Sequence, residues 1–84
     1  MRRNLQSMLR KGGERTKAKF EGATVRIWSG EWHAWWRANG CGYTDDITQA
    51  GLYAFDDAWQ RSWHCGPEKR ISYEIVATTL APTP

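Results

Sequence analysis

Cysteine is scarce in this sequence: Cys41 and Cys65 are the two thiols in 84 residues. Two are too few for a disulfide framework, and a reducing cytoplasm keeps them as thiols. His33 and His64 would complete a set of four zinc-ligand types, but the spacing is wrong. No C-x-x-C or H-x-x-x-H pair occurs, and adjacent His64 and Cys65 on a helix point about 100° apart. Long apolar runs are also missing. Nothing approaches the roughly 20 residues that span a bilayer, and no apolar stretch of a signal peptide follows the basic N-terminus. A cytoplasmic protein with no membrane partner is expected. Catalytic motifs are lacking too. There is no Gly-rich phosphate loop followed by Lys, and no Ser or Cys has a positioned base near it in sequence. Cys41 and His33 belong to different elements and have no third orienting group. The sequence therefore predicts neither an enzyme, nor a metal site, nor a cofactor.

A net positive charge is absent from most of the chain. Residues 1–22 hold Arg2, Arg3, Arg10, Lys11, Arg15, Lys17 and Lys19 against Glu14 and Glu21, a net of +5; residues 23–84 hold five basic and seven acidic side chains, a net of −2. The overall +3 thus comes from the leading segment. Residues 1–22 are expected as a basic, partly ordered arm, either solvated or contacting phosphates or an acidic protein surface. Leu5, Met8 and Leu9 permit a short helix over about 2–11, interrupted by Gly12-Gly13 and too narrow in its apolar stripe to stand alone.

Aromatics are what this chain has in plenty: six Trp, three Tyr and two Phe. At roughly 150–250 Å² buried by each, a few of them make a core for so short a chain. From Ala23 the pattern has period two. Ala23, Val25 and Ile27 alternate with Thr24, Arg26 and Trp28, and after Ser29-Gly30 the residues Trp32, Ala34 and Trp36 alternate with Glu31, His33 and Trp35. This predicts a hairpin with an even-length loop. A two-residue loop sets Ile27 opposite Trp32, Val25 opposite Ala34 and Ala23 opposite Trp36; a four-residue loop keeps the same faces, and an odd one mixes them. Residues 37–42 read as a loop, and Thr44 as the cap of a short helix over about 45–50 with Asp45 and Asp46 in its first turn and Gly51 at its end. Phe55, Ala58, Trp59, Ser62 and Trp63 form the apolar stripe of a second helix, stopped by Gly66-Pro67. Ile71, Tyr73, Ile75 and Ala77 form one face of a third strand.

The expected fold is α+β: a small three-stranded antiparallel sheet in β-β-α-α-β order, with one main amphipathic helix on one face. It occupies residues 23–79 as a single domain, and residues 80–84 form a flexible tail. The helix leaves the other face to Arg26, Trp28, His33 and Trp35, with Arg37 at its edge and Glu74 nearby. Trp and Arg are enriched at interface hot spots, so this face reads as partner-binding, a self-dimer included. The competing reading is that the arm covers Trp28 and Trp35 through Leu5, Leu9 or Phe20. Single-stranded nucleic acid is a second class of partner, its bases stacking on the aromatics and its phosphates meeting the arm.

The run W-W-R-A-N-G-C-G-Y-T-D-D-I at 35–47, followed by A-G-L-Y at 50–53 and Ala58, resembles a group of small proteins encoded by phages and prophages. Their pattern is an aromatic pair, Asn, Gly-Tyr-Thr, an acid, then Ala-Gly-x-Tyr before a helix. Ala38 stands where such proteins often have Pro, and Ala54 where they have a Ser or Thr cap. The resemblance implies a phage setting and action inside a bacterial host. Small phage proteins of this size and without catalytic signature, anti-CRISPR proteins among them, commonly act by occupying a surface of a host machine. What it implies here is a non-catalytic inhibitor of a bacterial defence protein such as a CRISPR–Cas effector, contacting it through Arg26, Trp28, His33, Trp35 and Arg37, with the arm assisting. The alternative is a phage accessory protein that binds nucleic acid directly through the same face.

Overall fold

A computed structural model of the chain describes residues 2–18 and 20–78. Lys19 and the tail 80–84 lie outside the described residues, as do the side chains of Arg2 and Arg15. The fold is α+β, built on one antiparallel sheet. Its strands are β1 (Arg2–Asn4), β2 (Ala23–Ser29), β3 (Ala34–Trp36), β4 (Tyr43–Thr44), β5 (Tyr53–Ala54) and β6 (Ile71–Thr78); its helices are α1 (Leu5–Arg10), α2 (Gly13–Ala18) and α3 (Phe55–Ser62). The strand order is β1-β6-β2-β3-β4, and β5 pairs with the start of β2. Six strands therefore replace the expected three. The additional ones, β1, β4 and β5, have two or three residues each, too short for an alternation of side chains to be visible in sequence.

β2 is the spine of the sheet. Ala23, Val25, Ile27 and Ser29 are buried while Thr24, Arg26 and Trp28 are half-buried, which is the predicted alternation. Opposite the buried set, Ile71 and Tyr73 of β6 face Ser29 and Ile27. Phe55, Ala58 and Trp59 of α3 close over them, and the Phe55 ring centroid lies 5.3 Å from that of Tyr73 and 6.1 Å from that of Trp59.

The hairpin loop is even in length, but it has four residues, 30–33: Ser29 pairs with Ala34 and Trp28 with Trp35. The faces survive, whereas the pairing of Ile27 with Trp32 does not. The reason lies outside the hairpin. Gly30 N donates to Arg70 O at 3.0 Å and Glu31 N to Lys69 O at 3.2 Å, so residues 30–31 continue along the 67–70 turn before the chain reverses. Gly30 is needed for this close approach, since a Cβ there would lie 2.5 Å from Arg70 Cβ. The reversal falls on His33, at φ 51°, and Trp32 is carried out to the turn with 62% exposure instead of into the core.

Two helix expectations also change. No helix forms over 45–50; a single 3-10 turn spans Ile47–Gln49, and its cap is Asp46, whose Oδ1 accepts from Thr48 N at 2.9 Å. Thr44 lies in β4 and its Oγ1 accepts from Asp46 N at 3.1 Å. The acidic pair supplies a cap, as helix starts favour, but the turn it caps is shorter. The predicted stripe of α3 is buried from Phe55 to Ser62, and the helix stops there, leaving Trp63 half exposed. Ser62 Oγ donates to Ala58 O at 2.5 Å and shares a 2.7 Å hydrogen bond with Tyr73 OH, anchoring the end of α3 to β6.

The leading segment is no loose arm where it is described. β1 pairs with β6 at the sheet edge, Asn4 caps α1 by accepting from Ser7 N at 3.0 Å, and Leu5 and Met8 are fully buried in the core. The short helix is real because tertiary burial supplies what its narrow stripe could not. Leu9 and Phe20 pack against the same core, Phe20 at 5.4 Å from Phe55. They lie on the α3 side of the sheet, so the intramolecular cover proposed for Trp28 and Trp35 is not made by these residues.

Candidate partner-binding face

From Val25 to Ser29 on β2 and from Ile71 to Ile75 on β6 the side chains alternate, and the register sets the face turned away from the core. Beyond a bulge between Thr24 and Val25, Ala77 stands opposite Thr24 instead of continuing the expected inner face of Ile71, Tyr73 and Ile75. Arg26 stands opposite Glu74, and Trp28 stands between Ser72 on β6 and Trp35 on β3. The Arg26 guanidinium donates to Glu74 Oε1 at 2.8 Å, with both side chains about a quarter exposed. Trp28 and Trp35 make an edge-to-face pair with centroids 4.9 Å apart. The His33 ring stands edge-on to Trp28 at 6.4 Å. Four of the five residues assigned to a partner surface, Arg26, Trp28, His33 and Trp35, are thus brought together. Trp35 is only 8% exposed, so the accessible aromatic surface there is that of Trp28.

Arg37 is drawn into a different task. Its Nε donates to Tyr43 O at 3.2 Å and its Nη1 to Gln49 Oε1 at 2.8 Å, clamping the 43–49 segment. The same loop explains the sequence pattern at 35–53. Asn39, Gly40 and Gly42 all have positive φ, of 58°, 65° and 96°, which Asn and Gly tolerate. The Tyr53 hydroxyl donates to Arg37 O and accepts from Gly40 N at 3.0 Å. Gly51 N donates to Trp36 O at 2.8 Å, and a Cβ on Gly51 would lie 2.5 Å from Ala38 N. Asn, the glycines and Gly-x-Tyr therefore read as a lock on a tight loop. They are fold-holding residues, and their spacing could have been read that way.

Part of the positive charge of the leading segment lies off this face, while the register of β1 sets Arg2 opposite Glu74. Lys17 is bonded to Asp56 of α3 at 3.0 Å, Arg3 stacks on Phe20 at 5.6 Å, and Arg10 ends α1. Lys11 caps α1 through its backbone N–H. Arg3, Arg10 and Lys17 accordingly lie on the helical side of the sheet.

Sequence reasoning missed two other aromatic surfaces. Trp32 and Tyr43, both exposed, lie at 6.0 Å with rings tilted by 32°, and Trp36 stands edge-on behind Tyr43 at 6.4 Å. A groove of about 320 Å³ runs between α1, α2 and α3, lined by Leu9, Gly13, Lys17, Trp59, Gln60 and Trp63. The first follows from the four-residue loop that carries Trp32 out of the core, and the second from the packing of α1 and α2 beside α3, neither of which local periodicity fixes.

Titration is shifted at few places. The hydrogen bonds from Thr48 hold the Asp46 carboxyl below its ordinary range. Burial pushes the Cys65 thiol up and carries the Tyr73 phenol to about 12. Cys41 and Cys65 are free thiols, and no group of three or more His, Cys, Asp or Glu among the described residues is placed to hold a metal. Among the same residues no helix is long and apolar enough to cross a membrane. Comparison with protein-family models, with characterised proteins and with solved structures finds no match to this chain.

Proposed function

We propose that the protein is a non-catalytic binding protein that acts through the outer face of its sheet, and that its target is a bacterial defence protein of the CRISPR–Cas effector class. The observation that carries the binding reading is the grouping of Trp28, His33 and the Arg26–Glu74 pair on the sheet face opposite all three helices. An aromatic with a charged group at its rim is the composition of an interface centre. The choice of target rests on the resemblance of residues 35–60 to small phage proteins, and the action is steric: a bound copy occupies a surface that nucleic acid or a moving domain needs. Arg3, Arg10 and Lys17 lie on the other side of the sheet, where they assist long-range attraction to an acidic partner.

Direct binding of nucleic acid is the weaker reading. The Arg26 charge is offset by Glu74, which weakens its pull on phosphates. Capture from bacterial lysate, with and without nuclease, tests both. The expected result is a defence complex that survives nuclease and is lost with Trp28→Ala, whose fold is checked by circular dichroism. Recovery of nucleic acid alone, with a steep loss of binding as salt rises, overturns the target reading.

A further inference from the structure

We propose that the outer face also pairs with a second copy of this chain, about a twofold axis that runs along the strands between β6 and β2. The register makes the face complementary to itself. In one row across the sheet the residues are Asn4, Ser72, Trp28 and Trp35, two small polar side chains on β1 and β6 and two indoles on β2 and β3. In a neighbouring row Arg2 of β1, Glu74 of β6 and Arg26 of β2 stand side by side, and Glu74 and Arg26 are the two nearest the axis. Rotation by a half-turn about that axis lays β2 of one copy over β6 of the other. Trp28 then meets the second copy's Ser72, large against small, and Arg26 meets the second copy's Glu74, positive against negative. Both contacts occur twice, as an isologous interface requires. Two sheets stacked in this way lie about 10 Å apart, a gap that indoles and long charged side chains fill.

The size of the face sets the strength. Five strands at about 4.8 Å spacing and seven residues at about 3.3 Å rise give a face of at most about 550 Å² on each copy. The total of at most about 1,100 Å² is near the lower limit for a specific interface, so the dimer forms at high concentration and dissociates on dilution. Target and second copy occupy the same face and exclude one another. The pairing does not depend on the identity of the target: a dimer that captures no defence complex removes the target reading alone, and a monomer that captures one removes the pairing alone.

Sedimentation equilibrium over a concentration series, with Arg26→Glu and Glu74→Arg chains, is the test. The first variant places carboxylates at both 26 and 74, and the second places guanidinium groups at both. Each alone is expected to self-associate at least about tenfold more weakly than wild type, since like charges are opposed. A one-to-one mixture of the two is expected to recover the wild-type affinity, because every contact across the axis is again between opposite charges. A wild-type chain that stays monomeric at millimolar concentration, single variants that dimerise less than about tenfold more weakly than wild type, or a mixture that fails to recover each overturn the pairing. Ser72→Arg keeps the ion pair within the chain and serves if charge reversal prevents folding. It fills the space assigned to Trp28 of the second copy, and an unchanged dimer affinity with it also overturns the proposal.

Discussion

The two faces of β2 are held in different ways. On the inner face Ala23, Val25 and Ile27 disappear beneath Phe55, Trp59, Leu5 and Met8, and the last polar groups there, Ser62 and Tyr73, satisfy each other. On the outer face Thr24, Arg26 and Trp28 remain half-buried, with Arg26 paired to Glu74 and Trp28 set edge-on to Trp35 and His33. One strand thus supports both a dry core and a surface, and the difference tells where the fold keeps its stability and where it is free to spend side chains on a partner.

The largest effect expected of a single substitution is on the inner face. Phe55 touches Phe20, Trp59 and Tyr73, and Phe55→Ala should lower the unfolding free energy by about 3–5 kcal/mol. In a domain this small that leaves little or no folded protein, and urea unfolding followed by circular dichroism reads it. A loss of under about 1 kcal/mol would show that the core does not rest on this ring.

Gly51→Ala is intermediate. It pushes a methyl group against the Ala38 backbone and should cost about 1–3 kcal/mol through the 37–42 loop alone. Amide exchange should quicken at Gly40 and Gly51 while β2 and β6 keep their protection.

Raising the pH tests the inner face from another side. Tyr73 is held neutral by burial, with its pKa raised from the model-compound value of 10.0 to about 12, so the folded form binds its proton more tightly than the unfolded chain does. Its contribution is whole below pH 10 and is lost as the pH rises through about 12. Absorbance of phenolate against pH should therefore show one tyrosine titrating late, together with unfolding.

The smallest effect belongs to the outer face. Glu74→Gln removes a charge partner of Arg26 and should change stability by less than about 1 kcal/mol, as measured by thermal melting. A cost close to that of Phe55→Ala would abolish the contrast between the faces.

Much of this was legible from the residues. The period of two over 23–28 gave the two faces of β2, and the stripe from Phe55 to Ser62 gave α3, because burial on one side writes its spacing into the chain. The grouping of Arg26, Trp28, His33 and Trp35 followed from the even loop. The loop's length and the fate of Trp32 did not follow, since they depend on backbone bonds from Gly30 and Glu31 to residues about forty positions away. Leu5 and Met8 could not be placed in the core from a stripe of three apolar residues, and the two-residue strands carry no pattern at all.

By itself the sequence determined which side chains share a face, since that depends only on the geometry of neighbouring residues along one strand or helix. Only the tertiary structure decided which strands stand side by side, that the leading segment closes the core, and that Ser72 and Glu74 flank Trp28 and Arg26. Those arrangements come from contacts between distant segments, whose register is fixed by packing and backbone hydrogen bonds that no local spacing encodes.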